Sequence, residues 1–575
     1  MAVLYQEQKE NKKAIFFYKK ALGLAKDNWG KTHQDIATIY NSLAILYHSE
    51  QKHKIAYQYI QKAFNIFSKY KQKNFTVLDR KERKVYSSKY HYKLDNLLYL
   101  THLNQDNKSI NFSNHHWLNY KGTLFEYQNI LSMLKENPKT PKRVIETINR
   151  LNRLNLQLST IEKGKNTKQI EQKIHHIEID LSKENHNLKS ILQLNEINSS
   201  QIANELQNNQ LYIDIARTKE NYYIFTIDKN NSINFQQIDK RDSQSIDQNI
   251  KAYRLNTQGM ADKINKESLQ GNFDNYSQRS NKKARIILST LYNLLIKTHL
   301  KDLIKEKTHL IFSADGLLNY LPFEALYSGK GYLIEDYTIN YISSGKEFIR
   351  QKKLRIKHPK NEIILFANAN FDASIKGGIF GDTNQHTNTE KSFSTLKDRE
   401  ISIIKKYYTH PIIFKEENAT VKNLMQVESS KILHLSTHGI ILNDKKILNP
   451  MRKALLIFAG ANENLEHSSI SALQLSALDL KDTELVVLSA CQSGLGDIQN
   501  AEGVVGLPKA LLQAGAKNVI MSLWTVSNQK TAMLMDYFYD NISKQQNYST
   551  ALQNAKIKMI KLHPYYWSSF ILSGL

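Results

Sequence analysis

The fold of the C-terminal half is decided by the stretch Glu484-Leu485-Val486-Val487-Leu488-Ser489-Ala490-Cys491. This apolar, β-branched run predicts a buried strand that ends on the cysteine, and the glycines in residues 492–496 predict a loop after it. A second apolar run, Lys431-Ile432-Leu433-His434-Leu435-Ser436-Thr437, ends at His438-Gly439. The carboxyl ends of neighbouring parallel strands meet at one edge of a sheet. We therefore expect the thiol of Cys491 and the imidazole of His438 to lie together.

Residues 208–575 alternate between predicted strands and predicted helices. Continuous apolar strands separated by helices indicate an α/β domain with a mostly parallel sheet that is covered on both faces. The clearest predicted helices in the last part of the chain span residues 503–513 and 529–539. The predicted strands cover residues 211–215, 221–227, 309–313, 362–367, 431–437, 484–490, 518–524 and 569–572.

Residues 1–70 contain an internal repeat with a fixed spacing of 42 residues (44 minus 2), which relates Ala2 to Ala44, Ala14 to Ala56, and Ala21 to Ala63. Small residues at fixed points let paired helices pack closely, and the repeat resembles the long variety of the tetratricopeptide repeat. We expect this all-α region to bind a protein partner. Because about three repeats are needed for stability, we also expect a longer array. Residues 71–207 are predicted to form a helical connector.

The composition limits the class of protein. The chain has 575 residues, 41% of them hydrophobic, which is enough for several packed domains. Its single cysteine excludes an intramolecular disulfide, so we expect a reducing, cytoplasmic location. The polar N-terminus and the lack of an apolar run of about 20 residues predict neither a signal peptide nor a membrane partner. The sequence contains no recognisable cluster of metal ligands, so we expect no metal and no cofactor.

The formal net charge of +25 suggests an anionic partner. The lysines are scattered along the chain, however, and neither a zinc-finger spacing nor an RNP-like aromatic pattern is present. A solvated basic surface is therefore the preferred interpretation. An acidic protein partner is an interpretation intermediate between a solvated surface and nucleic-acid binding. Nucleic acid is expected only as an indirect partner.

Cys491 and His438 are the predicted catalytic residues. A lone cysteine is often buried filler, but this one follows its strand and precedes Gly494 and Gly496, which would let a substrate backbone approach closely. A thiolate can attack a carbonyl there, and an imidazole can take and return the proton. His434 lies among apolar residues in the middle of its strand, so it is predicted to be a hydrogen-bonded core residue.

Two further sets of groups complete the predicted site. The backbone N–H groups of Gly439 and Cys491 are the expected oxyanion hole, because both residues lie in turns beside the reacting carbon. Asp497 and Glu502 are the predicted acids of the substrate pocket, which would select Arg or Lys. The alternative for both acids is a solvated loop position, or a helix N-terminal charge for Glu502.

The spacing and several motifs resemble known families. An Ala-Cys pair with a histidine 53 residues before it (491 minus 438) matches the arithmetic of the caspase signature. The segment 208–575 resembles the CHAT domain, the caspase-like domain that accompanies tetratricopeptide repeats in bacterial proteins. The motifs that carry the resemblance are Ser313-Ala314-Asp315-Gly316-Leu317, Leu321-Pro322-Phe323-Glu324-Ala325-Leu326, His434-Leu435-Ser436-Thr437-His438-Gly439, Glu484 to Cys491, Glu502-Gly503-Val504-Val505-Gly506-Leu507, Ser522-Leu523-Trp524 and His563-Pro564-Tyr565-Tyr566-Trp567.

The resemblance implies a caspase/separase-type fold, a dyad of Cys491 and His438, and a cytoplasmic peptidase whose repeats receive an activating partner. Gln492 departs from the acid that is common in the family, so substrate preference is expected to differ. The prediction is therefore a cysteine endopeptidase that cleaves a protein substrate and is regulated through its helical repeats. The alternatives are a catalytically silent scaffold and, less favoured, a nucleic-acid-associated regulatory factor.

Overall fold

The computed structural model describes residues 1–75, 80–123, 131, 134–135, 138, 140–160, 165–184, 196–266, 273–354, 356, 359–374, 393, 399–442, 447, 449–490, 496–499 and 501–575. Within these residues, a helical N-terminal half is followed by one large sheet with its own helices. The predicted order, an all-α region and then an α/β domain, is confirmed.

The N-terminal half is built from helices whose small residues are buried in a shared apolar core. Four of the repeated alanines, Ala14, Ala44, Ala56 and Ala63, are fully buried, as close packing between helices requires. The helices are α1 (Ala2–Glu7), α2 (Asn11–Trp29), α3 (Gln34–Ser49), α4 (His53–Asn74), α5 (Arg80–Asn104), α6 (Asn107–Tyr120), α7 (Lys142–Thr160), α8 (Lys165–Glu184) and α9 (Ser199–Glu205).

The C-terminal half is organised by short, apolar strands. The strands are β1 (Gln210–Arg217), β2 (Tyr222–Ile227), β3 (Ile233–Ile238), β4 (His309–Ser313), β5 (Thr338–Tyr341), β6 (Asn361–Ala369), β7 (Ile412–Glu416), β8 (Ser430–Leu435), β9 (His438–Ile441), β10 (Ala454–Ile457), β11 (Ser469–Ser471), β12 (Leu485–Leu488), β13 (Gly496–Gln499), β14 (Gly503–Gly506), β15 (Asn518–Ser522) and β16 (Phe570–Ser573).

Eleven of these strands form one sheet in the order β3-β2-β1-β4-β5-β16-β15-β12-β8-β6-β7. Neighbours are antiparallel only at β3–β2, β2–β1 and β16–β15. The other described pairs in this sheet are parallel, which confirms a mostly parallel sheet. All four residues of β12 are buried, because this strand lies well inside the sheet.

Helices connect the strands of this half. They are α10 (Lys240–Lys266), α11 (Phe273–Tyr292), α12 (Lys301–Ile304), α13 (Leu333–Asp336), α14 (Gly345–Lys353), α15 (Arg399–Tyr407), α16 (Val421–Met425), α17 (Ala472–Leu475), α18 (Leu507–Gln513), α19 (Asn528–Ser543), α20 (Tyr548–Lys558) and α21 (Pro564–Trp567). Among all the helices described in either half, none is both long and apolar enough to cross a bilayer.

One predicted helix is partly wrong. In the segment 503–513, Gly503–Gly506 forms strand β14, which pairs with β13, and the helix begins only at Leu507. Gly503 has a φ of +73°, which a helix interior excludes. Pro508 in the first helical turn then favours a helix start at this point.

A buried ion pair joins the helical half to the sheet. The ammonium group of Lys121, directly after α6, lies 2.8 Å from the Asp214 carboxylate of β1, and both side chains are fully buried. Trp117 of α6 donates its Nε1–H to the same carboxylate at 3.0 Å. Lys121 also donates to the carbonyl oxygens of Ile215 and Ser313 at 3.0 and 2.8 Å. The charges are therefore paired and hydrogen-bonded, which a buried ion pair needs.

The two halves also share apolar packing. Ala216, Tyr223, Phe225 and Phe235 of β1–β3 belong to the same buried cluster as the helices of the N-terminal half. The boundaries predicted for a repeat region at 1–70, a connector at 71–207 and an α/β domain at 208–575 stay predictions. The sheet itself begins at Gln210.

Candidate active site

The strands that precede the two predicted catalytic residues are direct neighbours. β8 and β12 are parallel and pair in register, with Leu435 opposite Leu488. His438 follows Leu435 by three residues, and Cys491 follows Leu488 by three residues. Cys491 itself lies outside the residues that the structure describes.

Hydrogen bonds fix the chain immediately before Cys491. The N–H of Ser489 donates to the carbonyl of Leu435 at 2.9 Å, which extends the ladder between the two strands. The hydroxyl of Ser522, at the end of β15, donates to the carbonyl of Ala490 at 2.6 Å. The two residues before the predicted nucleophile are therefore each held by a neighbouring strand, Ser489 by β8 and Ala490 by β15.

The sequence predicted that β8 ends at His438, but the structure shows otherwise. β8 ends at Leu435, and His438 begins the separate strand β9, where it pairs with Ile457 of β10. The change of direction is stabilised by Thr437, whose hydroxyl donates to the carbonyl of Ile457. His438 is half-buried at the start of this second, three-stranded sheet.

Two aromatic rings flank the imidazole of His438. The ring centres of Phe371 and Phe393 lie 5.0 and 5.6 Å from the centre of the imidazole. Asn462 holds both phenylalanines, because its N–H donates to the Phe371 carbonyl and its side-chain amide bonds the backbone of Phe393. Sequence reasoning missed these three residues, since no local spacing links them to His438.

Gly439 was predicted to lie in a turn, but it lies in β9, opposite Leu456 of β10, because this segment pairs with β10. The N–H of Leu442 donates to the carbonyl of Lys453 at 2.8 Å, and bonded and non-bonded pairs alternate along an antiparallel ladder. Gly439 is therefore at a non-bonded position, with its N–H directed away from β10. β9 is the outer strand of its sheet, so within the described residues no strand pairs with the side of β9 toward which this N–H is directed.

His434 is a buried, hydrogen-bonded core residue, as predicted. Its Nε2 lies 3.1 Å from the carboxylate of Glu400, and its Nδ1 lies 2.7 Å from the hydroxyl of Tyr539. Burial raises the pKa of Glu400, but the His434 ring and the hydroxyls of Ser436 and Ser489 outweigh burial and lower that pKa below its ordinary value. Glu400 is therefore ionised at neutral pH.

Hydrogen bonds also fix the chain from Gly496 onward, where the described residues resume after the cysteine. Tyr320 donates its hydroxyl to the carbonyl of Gly496 at 2.8 Å. The N–H of Ala501 donates to the Asp315 carboxylate at 3.0 Å, and the Ala501 carbonyl accepts from the N–H of Gly122 at 2.8 Å. Gly122 follows α6, so the helical half contacts the segment between β13 and β14.

Gly496 was predicted to let a substrate backbone approach closely. In the structure, the backbone of Val505 in the same protein approaches Gly496 closely. A Cβ atom at Gly496 would strike the carbonyl oxygen of Val505 and lie 2.7 Å from its carbonyl carbon. Glycine is thus required there by β14, in addition to any role toward a substrate. Gly494 lies outside the described residues.

The two predicted pocket acids lie in different surroundings. Asp497 belongs to β13, where its backbone pairs with Val505. Glu502 is only 1% exposed, and the helix after it begins only at Leu507, so both alternatives given for Glu502, a solvated loop position and a helix N-terminal charge, are wrong. Burial lowers the pKa of Lys509, and Glu502 opposes that effect. Both assignments to a substrate pocket stay predictions. Among the described residues, no three His, Asp or Glu side chains converge as a metal site.

These observations define a class of protein: a mostly parallel α/β domain that follows a helical half, with a histidine and the lone cysteine located after adjacent strands in the sequence. The CHAT domain family matches residues 285–575, which is more than half of the chain. The chain therefore belongs to the CHAT domain family.

Comparison with individual proteins gives partial matches. Tetratricopeptide repeat protein 28 of Mus musculus is 35% identical over 111 residues, which cover 18% of this chain and 4% of that protein. The chain thus spans only a small part of this curated relative. The alignment with a chain of the Saccharomyces cerevisiae separase–securin complex covers 98% of this protein and 48% of the separase–securin chain, at 11% identity and with a TM-score of 0.42. The alignment with the Arg-specific cysteine proteinase gingipain R covers 51% of this protein and 67% of the gingipain chain, at 11% identity and with a TM-score of 0.31.

Proposed function

We propose that this chain is a cytoplasmic cysteine endopeptidase in which Cys491 and His438 form a catalytic dyad. The imidazole takes the thiol proton, and the sulfur attacks the scissile carbonyl carbon, so that a C–S bond forms and the carbonyl oxygen becomes an anion. The C–N bond then breaks, and the imidazolium protonates the departing amine. In the second half-reaction the imidazole takes a proton from water, the resulting hydroxide attacks the thioester, and the C–S bond breaks.

One observation carries this proposal. Leu435 and Leu488 are register partners in adjacent parallel strands, and each is followed three residues later by one member of the dyad. Equal distances beyond a register pair favour meeting at the same sheet edge, where sites in parallel sheets form. Packing of Phe371 and Phe393 against His438 also favours a preorganised imidazole.

The outward N–H of Gly439 supports its assignment to an oxyanion hole, together with the N–H of Cys491. Of the two predicted pocket acids, we propose Asp497 as the one that selects a basic residue before the cut. The carboxylate of Glu502 is enclosed in the described structure and is better suited to pairing with Lys509.

Regulation through the helical half is part of the proposal. The hydrogen bond from Gly122 to Ala501 connects the end of α6 to a residue that lies between β13 and β14, ten residues after Cys491. Ala501 is also fully buried in the apolar cluster of the N-terminal helices. A partner that shifts these helices would therefore move the segment that follows Cys491 in the sequence.

An acidic protein is the activating partner that the repeat surface fits best. Lys19 lies 5.7 Å from the ring centre of Tyr47, and Lys62 lies 5.2 Å from that of Tyr59. The two tyrosine rings stack at 5.3 Å, and both lysines are exposed. Lysines held over aromatic rings keep their charge and can still bind a carboxylate from solvent.

The test is capture followed by cleavage. A Cys491→Ala protein should retain a substrate that it cannot cut, and the wild-type chain should then cleave the captured protein. Cys491→Ala and His438→Ala should each reduce cleavage by about 10³-fold or more, because members of a catalytic unit fail together. His410→Ala, which removes an exposed histidine outside the site, is the matched control and should cleave normally.

Two outcomes would contradict the proposal. If Cys491→Ala cuts at the wild-type rate, the thiol is not the nucleophile. If the wild-type chain binds the captured protein with its activating partner present and never cuts it, the chain is a silent scaffold.

A further inference from the structure

The carboxylate of Glu400 lies between the two strands that lead to the candidate dyad. Its Oε2 accepts from Nε2 of His434, on β8, at 3.1 Å. Its Oε1 accepts from the hydroxyl of Ser489, directly after β12, at 2.6 Å. One side chain from α15 therefore bridges β8 and the end of β12.

The bridge is buried, and it is supported by the two helices α15 and α19. Glu400 is buried, and charge-assisted hydrogen bonds are stronger when water is excluded. α15 is tied to α19 because Tyr407 donates its hydroxyl to Asp536 at 2.9 Å. Tyr539, also on α19, contacts the second ring nitrogen of His434 at 2.7 Å. Two helices therefore fix the carboxylate and the ring that it binds.

The consequence depends on where the chain goes next. Ser489 precedes Cys491 by two residues, and His434 precedes His438 by four. A group that holds both strand ends also limits the distance between the segments that carry the thiol and the imidazole. A displacement of about 1 Å between reacting groups can slow a reaction about 100-fold.

We propose that Glu400 is a positioning residue that clamps β8 to the end of β12 and so sets the separation of His438 and Cys491. This inference rests on the proposed dyad. Glu400 acts through His434 and Ser489, and its role is to place the dyad before a substrate arrives.

Cys491 is the only cysteine in the chain, so its alkylation by iodoacetamide reports on one site without a substrate. The full chain and its variants are alkylated across the pH range in which thiols and imidazoles titrate, and the product is measured by intact mass. Glu400→Ala should lower the rate near neutral pH about tenfold and move the midpoint toward that of free cysteine, about 8.5. Glu400→Gln should stay within about twofold, because an amide can bridge the same two partners.

The matched control is Glu428→Ala, which removes an exposed carboxylate just before β8 and should keep the wild-type profile. His438→Ala separates the two proposals. If it changes the profile and Glu400→Ala does not, only the clamp is overturned. If His438→Ala leaves the profile unchanged, both the dyad and the clamp are overturned.

A second variant covers a failure of Glu400→Ala to fold. Ser489→Ala removes one of the two bonds and leaves the pair of Glu400 and His434 intact. A shift of its alkylation midpoint in the same direction supports the clamp. A wild-type profile for Ser489→Ala overturns it.

Discussion

Two of the buried histidines, His434 and His116, face different groups. His434 faces the ionised carboxylate of Glu400. His116, on α6, has the hydroxyl of Tyr90 at 3.4 Å and otherwise packs against aromatic rings. Burial lowers the pKa of His116 to about 3, and His115 contributes to the same shift. The His116 ring is therefore neutral at neutral pH and favours the folded state only while it stays neutral.

The low pKa of His116 predicts that acid destabilises the helical half. Below the ordinary histidine pKa of about 6.5, the unfolded chain binds a proton that folded His116 does not, so stability falls as the pH drops from there toward about 3. The loss between about pH 7 and about pH 5 should be on the order of 2 kcal/mol. It is measured as the pH dependence of unfolding, followed by helical circular dichroism.

His116→Gln should weaken this dependence, because glutamine does not titrate. His33→Gln, which removes an exposed histidine, should leave it as in the wild type. Equal acid sensitivity in the wild type and His116→Gln would show that His116 does not carry the effect.

At the scale of elements, the sequence was informative where apolar residues run continuously. β8 and β12 were predicted because their residues are apolar and buried. β7 was missed, because its residues are exposed or half-buried and the apolar signal is short. The hairpin of β13 and β14 was also missed. The apolar residues of β14 follow a helix-like spacing, and β14 is extended only because it pairs with β13.

The candidate site was predictable only in part, for the same reason. His438 and Cys491 each end or follow an apolar run, which is a local signal. Glu400 and Phe371 reach the site from remote segments; Glu400 is separated from Ser489 by 89 residues. Tertiary structure alone brings such residues together, so no spacing in the sequence could identify them. The start of β9 at His438 likewise depends on pairing with β10.

At the scale of the whole molecule, the helices and the sheet meet at Lys121 and Asp214. Both side chains are fully buried, and their hydrogen-bond partners come from both halves: Trp117 donates to Asp214, and Lys121 donates to the carbonyls of Ile215 and Ser313. Such a pair is a weak source of net stability, but breaking it leaves one charge buried without its partner. The joint between the halves should therefore be sensitive to the loss of either charge.

Lys121→Met should lower the free energy of unfolding by about 3–5 kcal/mol, because the Asp214 carboxylate is left uncompensated. The change should also expose the joint to limited proteolysis. Lys108→Met, which alters an exposed lysine on the same helix α6, is the matched control and should change stability by less than about 0.5 kcal/mol. A Lys121→Met protein as stable as this control would show that the pair does not hold the halves together.

The central claim is that His438 activates Cys491, and the pH dependence of Cys491 carboxymethylation tests it most directly. In the full chain the rate should rise with a midpoint well below about 8.5, the value for a free thiol, and His438→Ala should return the midpoint to that value. Identical profiles for the two proteins, with a midpoint near that of free cysteine, would contradict the claim.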